Sequence, residues 1–221
     1  MADAGVELFR KSGEMWQVKL EALISSESPE MTKVFNQAFE YLKPQICLPL
    51  WLTWAQWSEE ARKQEEAEMI YKRAVFHLPG DDSATMKEMY LAWAYQSGGY
   101  TKARDVFKSL QENRPFSVGF FRKMIEFEKE QESCKMENSR EYYERALREF
   151  GTVDSDLWMD YIKEELNHPL GRPENCGQLY WWAMKMLQGE SVEQFISKHA
   201  LHQAGRLWEE EEHSHLCEIV L

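Results

Sequence analysis

Apolar residues recur along the chain in an eight-residue phrase that combines an aromatic residue with a small one. Its five copies begin at Met31, Ala67, Ala103, Ser139 and Cys176, so successive starts lie 36, 36, 36 and 37 residues apart. Within a copy, the apolar positions are related by steps of one and four residues, which places them on one face of a helix. A fixed period of this length is typical of proteins built from stacked helical repeats.

A second aromatic cluster precedes most copies of the phrase, also with the spacing of one helix face. Each period is therefore predicted to hold two helices: helix A carries the cluster and helix B carries the phrase. A large residue that faces a small one allows successive helix pairs to interdigitate at the density of a protein core. The predicted repeat positions are Trp16, Trp51, Trp54, Trp57, Tyr90, Trp93, Phe121, Phe127, Trp158 and Tyr161 in helix A, and Phe35, Tyr71, Phe107, Tyr143, Tyr180, Ala38, Ala74, Ala146 and Ala183 in helix B.

The pattern predicts an all-α fold, an α-solenoid of about five stacked helix pairs over residues 1–205. The boundary between Trp57 and Tyr71 contains no helix breaker, so only the period places a turn there, near Lys63. Capping boxes are predicted at Asn138 and Ser191. The approximate units are 14–44, 47–79, 83–115, 117–151 and 154–189, followed by a capping helix at 191–205 and an acidic, disordered tail at 206–221.

Charge and composition restrict the classes of function. The net charge of −12, most of it in the second half of the chain, has the wrong sign for a general phosphate-binding surface and favours a basic protein partner. No apolar run approaches the roughly 18 residues of a membrane span, and no secretory signal is expected at the start. The four cysteines form no CxxC pair and are expected to be reduced thiols of an intracellular protein.

The repeated phrase resembles a known consensus. Residues 139–147, together with Trp158 and Tyr161, are similar to the HAT (half-a-TPR) repeats of RNA-processing proteins. Residues 121–134 and 156–176 are similar in particular to HAT repeats of the small-subunit processome, the nucleolar particle that matures the precursor of small-subunit ribosomal RNA.

Three places depart from the HAT consensus. Lys87 stands where helix A should have a tryptophan, and Trp181 and Trp182 replace a charged Glu-Arg pair of helix B. Residues 108–110 differ from the consensus at the corresponding place of their own copy. All three are interpreted as irregularities of the repeat.

The resemblance implies a non-enzymatic interaction scaffold for ribosomal RNA processing, located in the nucleus and nucleolus. The implied partners are protein subunits of the processome, WD-repeat propeller proteins among them. Contact with RNA is expected to be indirect or weak, and neither a membrane nor a small-molecule substrate is expected. Two alternatives stay open: a HAT scaffold of another RNA-processing complex, and an RNA-binding helical repeat.

Residues that could carry chemistry are few, and the sequence predicts no catalytic, cofactor-binding or metal site. His199 and His202, with His213, His215 and Cys217 beyond them, are ligand types for zinc, but no HExxH motif accompanies them. The tryptophan stripe could stack nucleotide bases, but at helical spacing it favours a core. The acidic stretch 126–132 is a possible patch for a basic partner.

Overall fold

The computed structural model describes the backbone of residues 12–26, 30–42, 48–61 and 63–219, with side chains up to Arg206. Every regular element within these ranges is helical and no strand occurs in them, so the predicted all-α class is confirmed. A short 3-10 turn, Pro173–Asn175, also occurs in them. The helices are α1 (Gly13–Ser25), α2 (Met31–Leu42), α3 (Leu48–Glu60), α4 (Gln64–His77), α5 (Gly80–Leu110), α6 (Val118–Lys129), α7 (Met136–Phe150), α8 (Ser155–Asn167), α9 (Cys176–Met186) and α10 (Glu190–Ile219).

Two compact units make up the chain, Met1–Lys123 and Met124–Leu221, with the boundary inside α6. In the first unit, α1 packs against α2 and α3, α3 packs against α4, and α4 packs against α5. In the second unit, α8 is central and contacts α7, α9 and α10. The predicted arrangement of these helices as one solenoid stays a prediction.

The turn that only the period predicted is present. Helix α3 ends at Glu60 and α4 begins at Gln64, while the backbone N–H of Lys63 donates to the carbonyl of Ser58 over 2.9 Å. The Lys63 ammonium lies 4.3 Å from the centre of the Trp57 ring and 3.4 Å from a Glu66 carboxylate oxygen. These local contacts accompany a turn in a stretch where intrinsic propensity alone would continue the helix.

A single glycine divides the 31-residue helix α5 into two segments. Gly99 has φ +69° and ψ −166°, a conformation outside the helical region that residues with a Cβ rarely adopt. It lies where the sequence pattern changes from helix A to helix B. The glycine therefore supplies the turn of this helix pair.

We expect Gly99→Ala to lower the free energy of unfolding by about 1–3 kcal/mol, the cost of holding a non-glycine residue in such a conformation. A Cβ at this position would meet no atom within 4 Å, so backbone strain is the only source of the loss. Gly13→Ala is the matched control, because Gly13 lies in a helix with equally open space and no positive φ. Urea unfolding measures both variants, and equal midpoints would contradict the assignment of the turn to Gly99.

One ring contact recurs in three places. The centroids of Phe35 and Trp54 lie 5.3 Å apart, those of Tyr71 and Tyr90 5.4 Å apart, and those of Tyr143 and Tyr161 4.8 Å apart, with interplanar angles of 7°, 6° and 6°. Each contact joins the aromatic residue of one helix B to an aromatic residue of the next helix A. This is the kind of packing by which adjacent helix pairs would bury each other's apolar faces.

A buried carboxylate also recurs, 37 residues apart, at the end of α6 and at the end of α8. Glu128 accepts a hydrogen bond from the backbone N–H of Lys135 over 2.8 Å, and Glu165 accepts one from that of Arg172 over 2.7 Å. Both acceptors are only 1% exposed. Each glutamate thus holds the loop that leads from its own helix toward the next one.

The last helix is longer than predicted. Helix α10 extends from Glu190 to Ile219 and passes the predicted end of the capping helix at residue 205. The side chains of 207–221, including Trp208 and the acidic run 209–212, lie outside the described residues. The disordered tail stays a prediction.

Candidate protein-interaction surface

The residues that the sequence identified as repeat positions are not at the surface. Within the described residues, Trp57 and Tyr180 are half-buried and the others are buried, with exposed fractions of 9% or less. The four alanines of helix B are fully buried at 0%. A tryptophan stripe enclosed in this way offers no platform for stacking nucleotide bases. A binding surface must therefore be formed by other side chains, and the role of these positions in a repeat stays a prediction.

An apolar groove of about 410 Å³ opens in the second unit between α7 and α9, with α8 as its floor. We call it the α7–α9 groove. Its volume falls within the range of about 300–1,000 Å³ that is usual for ligand pockets. It is lined by Glu144, Leu147 and Arg148 from α7, Trp158 and Tyr161 from α8, and Leu179, Trp182, Lys185 and Met186 from α9.

The floor of the groove is held in place by contacts on both of its aromatic residues. The indole Nε1 of Trp158 donates a hydrogen bond to the carbonyl of Gly151 over 2.9 Å, and Tyr161 stacks on Tyr143. Burial is the main cause that raises the pKa of Tyr161 well above its ordinary value, and the negative charge of Glu144 raises it further. The hydrogen bond of Trp158 and the ring contact of Tyr161 hold the floor of the groove in place.

The rim of the groove carries unpaired cations. Arg148 and Lys185 are both exposed, and neither forms an ion pair within the described part of the chain. In the same unit, other cations are paired with carboxylates: Lys129 with Glu164, Arg140 with Glu165, Arg145 with Glu141, and Lys198 with Asp156.

Large apolar side chains of α9 are exposed at the groove and beside it. Trp181 is 65% exposed, Trp182 46% and Met186 42%. Exposed aromatic and methionine side chains are enriched at protein interfaces. Sequence reasoning missed these residues as functional candidates, because it interpreted Trp181 and Trp182 only as departures from a consensus. The sequence feature that could have identified them is the presence of tryptophan at two positions where the consensus has charged surface residues.

The histidines considered for zinc are placed differently. His199 lies against the rings of Tyr180 and Phe195, at 4.7 Å and 6.0 Å between centroids, and burial lowers its pKa. No group of three or more His, Cys, Asp or Glu side chains that could hold a metal occurs among the described residues. The side chains of His213, His215 and Cys217 lie outside the part that the structure describes.

The acidic stretch 126–132 does not form one continuous surface patch. Glu128 is buried, while Glu126, Glu130 and Glu132 are exposed. Glu128 binds a backbone N–H and the side-chain amide of Asn138, at 2.8 Å and 3.1 Å. The prediction of an acidic patch is therefore wrong for Glu128, which has a structural role.

Neither of the two cysteines in the described residues has the environment of a nucleophile. Burial raises the pKa values of Cys134 and Cys176, which reduces the thiolate fraction of both. Within the described ranges, no helix combines the length and apolarity needed to cross a membrane.

The part of the chain that forms this surface matches a known protein family. The sequence model of the family described as "U3 small nucleolar RNA-associated protein 6 C-terminal" matches residues 1–187, a range that contains every residue of the α7–α9 groove. The chain belongs to this family. The resemblance to the C-terminal part of U3 small nucleolar RNA-associated protein 6 is thereby confirmed. The assignment of the repeats to the HAT type stays a prediction.

Two curated relatives show how much of a family member the chain represents. It is 69% identical over 207 residues to the human U3 small nucleolar RNA-associated protein 6 homolog, which is 94% of this chain and 35% of the relative. It is 68% identical over 205 residues to the mouse homolog, which is 93% of this chain and 34% of the relative. The chain thus spans about a third of the length of the relatives it matches.

Proposed function

We propose that the chain is a non-enzymatic protein-interaction scaffold that acts in ribosome biogenesis, as a component of the small-subunit processome. The observation that carries this proposal is the family membership, whose name associates its members with the U3 small nucleolar RNA. The α7–α9 groove and the exposed tryptophans of α9 give the scaffold a surface on which a partner can bind. A nucleolar location follows from the same proposal.

The contacts inside the proposed particle are with proteins. The partners that fit are processome subunits, with WD-repeat propeller proteins as the first candidates. A net charge of −12 opposes the extensive phosphate contacts that dominate nucleic-acid binding, so contact with RNA is indirect or weak. Stacking of the helix pairs into a solenoid would give this scaffold its extended surface.

The proposal is tested by purifying the tagged full chain from nuclear extract of human cells, after cross-linking and with or without RNase. We expect cross-links to processome proteins, propeller subunits included, that persist after RNase treatment. A tagged helical-repeat protein of similar size from another pathway is the control for non-specific capture.

Two results would contradict the proposal, and each favours one alternative. Cross-links to splicing or polyadenylation factors alone would indicate a HAT scaffold of another complex. An association that RNase abolishes, together with a salt-dependent gel shift of the purified chain on RNA, would indicate an RNA-binding repeat.

A further inference from the structure

The geometry points to an acidic amphipathic helix of a partner protein as the occupant of the α7–α9 groove. In this complex, the apolar face of the partner helix enters the groove, and its Glu or Asp side chains meet Arg148 and Lys185. The inference rests on the proposed scaffold function and adds the chemistry of the partner to it.

The shape and lining of the groove favour a helix. Its walls are the sides of two helices, to which α7 contributes Leu147 and α9 contributes Leu179 and Trp182. An amphipathic helix that places apolar side chains three and four residues apart into such a groove is a common mode of recognition. Addition of an extended strand would need a sheet edge, and none occurs in the described residues.

The apolar content of the groove supplies the driving force for binding. Trp182 is 46% exposed and Met186 42% exposed, so both have surface left to bury. Trp158 and Tyr161 are already fixed below them by their own contacts, and little ordering is needed when a partner binds. A tryptophan on a prepared floor is the kind of residue that becomes a binding hot spot.

The charge of the rim decides between an acidic and a basic partner. Two of the three charged residues at the groove are cations, and neither has a carboxylate partner among the described residues. Glu144, the third, lies four residues before Arg148 without forming an ion pair with it. A partner carboxylate can therefore pair with Arg148 and Lys185 without first breaking an existing ion pair.

This local charge is opposite to the expectation from composition. The net charge of −12 predicts a basic partner. Charges that are exposed and more than about 8 Å away are largely screened at physiological salt, whereas those at the rim act directly on a bound ligand. The net charge therefore acts mainly on a partner that is still far away. The charges of Arg148 and Lys185 determine which charged side chains can bind at the rim of the groove.

A charge swap tests the proposal. The probe is a displayed library of amphipathic helical peptides about four turns long, with Leu, Ile, Met, Phe or Trp varied on the apolar face. Half of the library has Glu at all polar positions and half has Lys. On the wild-type full chain we expect the Glu half to be enriched at least ~10-fold over the Lys half, which corresponds to about 1.4 kcal/mol. On Arg148→Glu/Lys185→Glu the preference should reverse.

Matched variants locate the binding site. Lys163→Glu changes an exposed cation of α8 that does not line the groove, and it should keep the preference for Glu peptides. Trp182→Ala should weaken the best selected peptide at least ~10-fold. Trp181→Ala should leave its affinity unchanged, because Trp181 is exposed but does not line the groove. Circular dichroism confirms that each variant is folded.

Several outcomes would overturn the inference: enrichment of the Lys half, no enrichment of either half, or the same effect from Lys163→Glu as from the double swap. The result is also separable from that of the proposed function. Processome cross-links that survive in Trp182→Ala would reject the groove and keep the scaffold. Selection of Glu peptides by a chain that cross-links to no processome protein would keep the groove and reject the scaffold.

Discussion

Trp51→Ala is expected to lower the free energy of unfolding by about 3–5 kcal/mol, the usual cost of removing a buried tryptophan. Trp51 is 1% exposed, and its ring centroid lies 4.4 Å from that of Phe39 and 6.2 Å from that of Trp54. The guanidinium of Arg73 lies 5.8 Å from the ring centroid. Truncation would therefore leave a cavity among α2, α3 and α4 at once, and no neighbouring element can fill it without shifting.

Phe76→Ala provides the control for this prediction within the same unit. Phe76 lies in α4 but is 68% exposed, so its loss should change stability by no more than ~0.5 kcal/mol. Urea unfolding followed by circular dichroism measures both variants. Equal shifts in midpoint, or an unchanged midpoint for Trp51→Ala, would show that the aromatic cluster of helix A does not carry the stability of this unit.

The period of the sequence was sufficient to predict the helical class and most of the buried positions, but not those of α10, where Ile196 and Leu201 were expected to be buried and are exposed. The same spacing that placed Phe35 and Tyr71 in helix B also placed Trp54 and Tyr90 in the following helix A, and the structure stacks these residues in pairs. Such contacts depend on residues about half a period apart, so a repeat in the sequence encodes them directly.

Local motifs were less reliable than the period. The capping box predicted at Asn138 is wrong, because α7 begins at Met136 and its N-cap residue is Lys135. Glu128, from the preceding helix, accepts hydrogen bonds from the backbone N–H of Lys135 and from the side-chain amide of Asn138. A side chain seven residues away along the chain thus replaces the local cap.

The second predicted capping box, at Ser191, is also wrong. Helix α10 begins one residue earlier, at Glu190, and the Ser191 hydroxyl donates to the carbonyl of Val153 over 2.8 Å. Gln194, the other member of the predicted box, donates to Glu190 instead. As at Asn138, the side chain that the local pattern predicted to cap the helix forms a hydrogen bond with another part of the fold instead.

Lys87 shows why a departure from consensus is hard to interpret from sequence. Its side chain is 1% exposed, and its ammonium donates to the backbone carbonyls of Asn113 and Pro115. Burial lowers its pKa. The lysine is therefore buried at the position where a tryptophan was expected, and its charged end binds carbonyls of the loop after α5. Nothing in the local sequence indicates which carbonyls it would reach.

The candidate surface escaped prediction for a related reason. A tryptophan at a helix position is predicted to be buried, and nine tryptophans in 221 residues strengthen that expectation. Whether a given face of α9 is covered depends on which helices pack there, which is a tertiary property. Trp181 and Trp182 differ from the buried tryptophans only in that respect.

Glu165→Ala is expected to cost about 3–5 kcal/mol, because it leaves a largely buried arginine without its carboxylate partner. Arg140 donates to the two oxygens of Glu165 over 2.7 Å and 3.0 Å, and the side chains of Arg140 and Glu165 are 15% and 2% exposed. The hydrogen bond to Glu165 raises the pKa of Arg140. In the variant that hydrogen bond is gone, but the guanidinium stays charged, because the ordinary pKa of arginine lies far above physiological pH. The same carboxylate also holds the backbone N–H of Arg172.

Two further variants distinguish the loss of this buried ion pair from the loss of an ordinary surface ion pair. Glu141→Ala removes an exposed partner that lies 3.4 Å from Arg145, and it should cost no more than ~0.5 kcal/mol. Arg140→Met/Glu165→Leu should cost less than Glu165→Ala alone, since it leaves no buried charge unpaired. Thermal or urea unfolding gives these values and those of the single variants Arg140→Met and Glu165→Leu. If the double variant lost as much stability as the sum of its single variants, Arg140 and Glu165 would be acting independently, and the link between α7 and α8 would have to come from apolar packing alone.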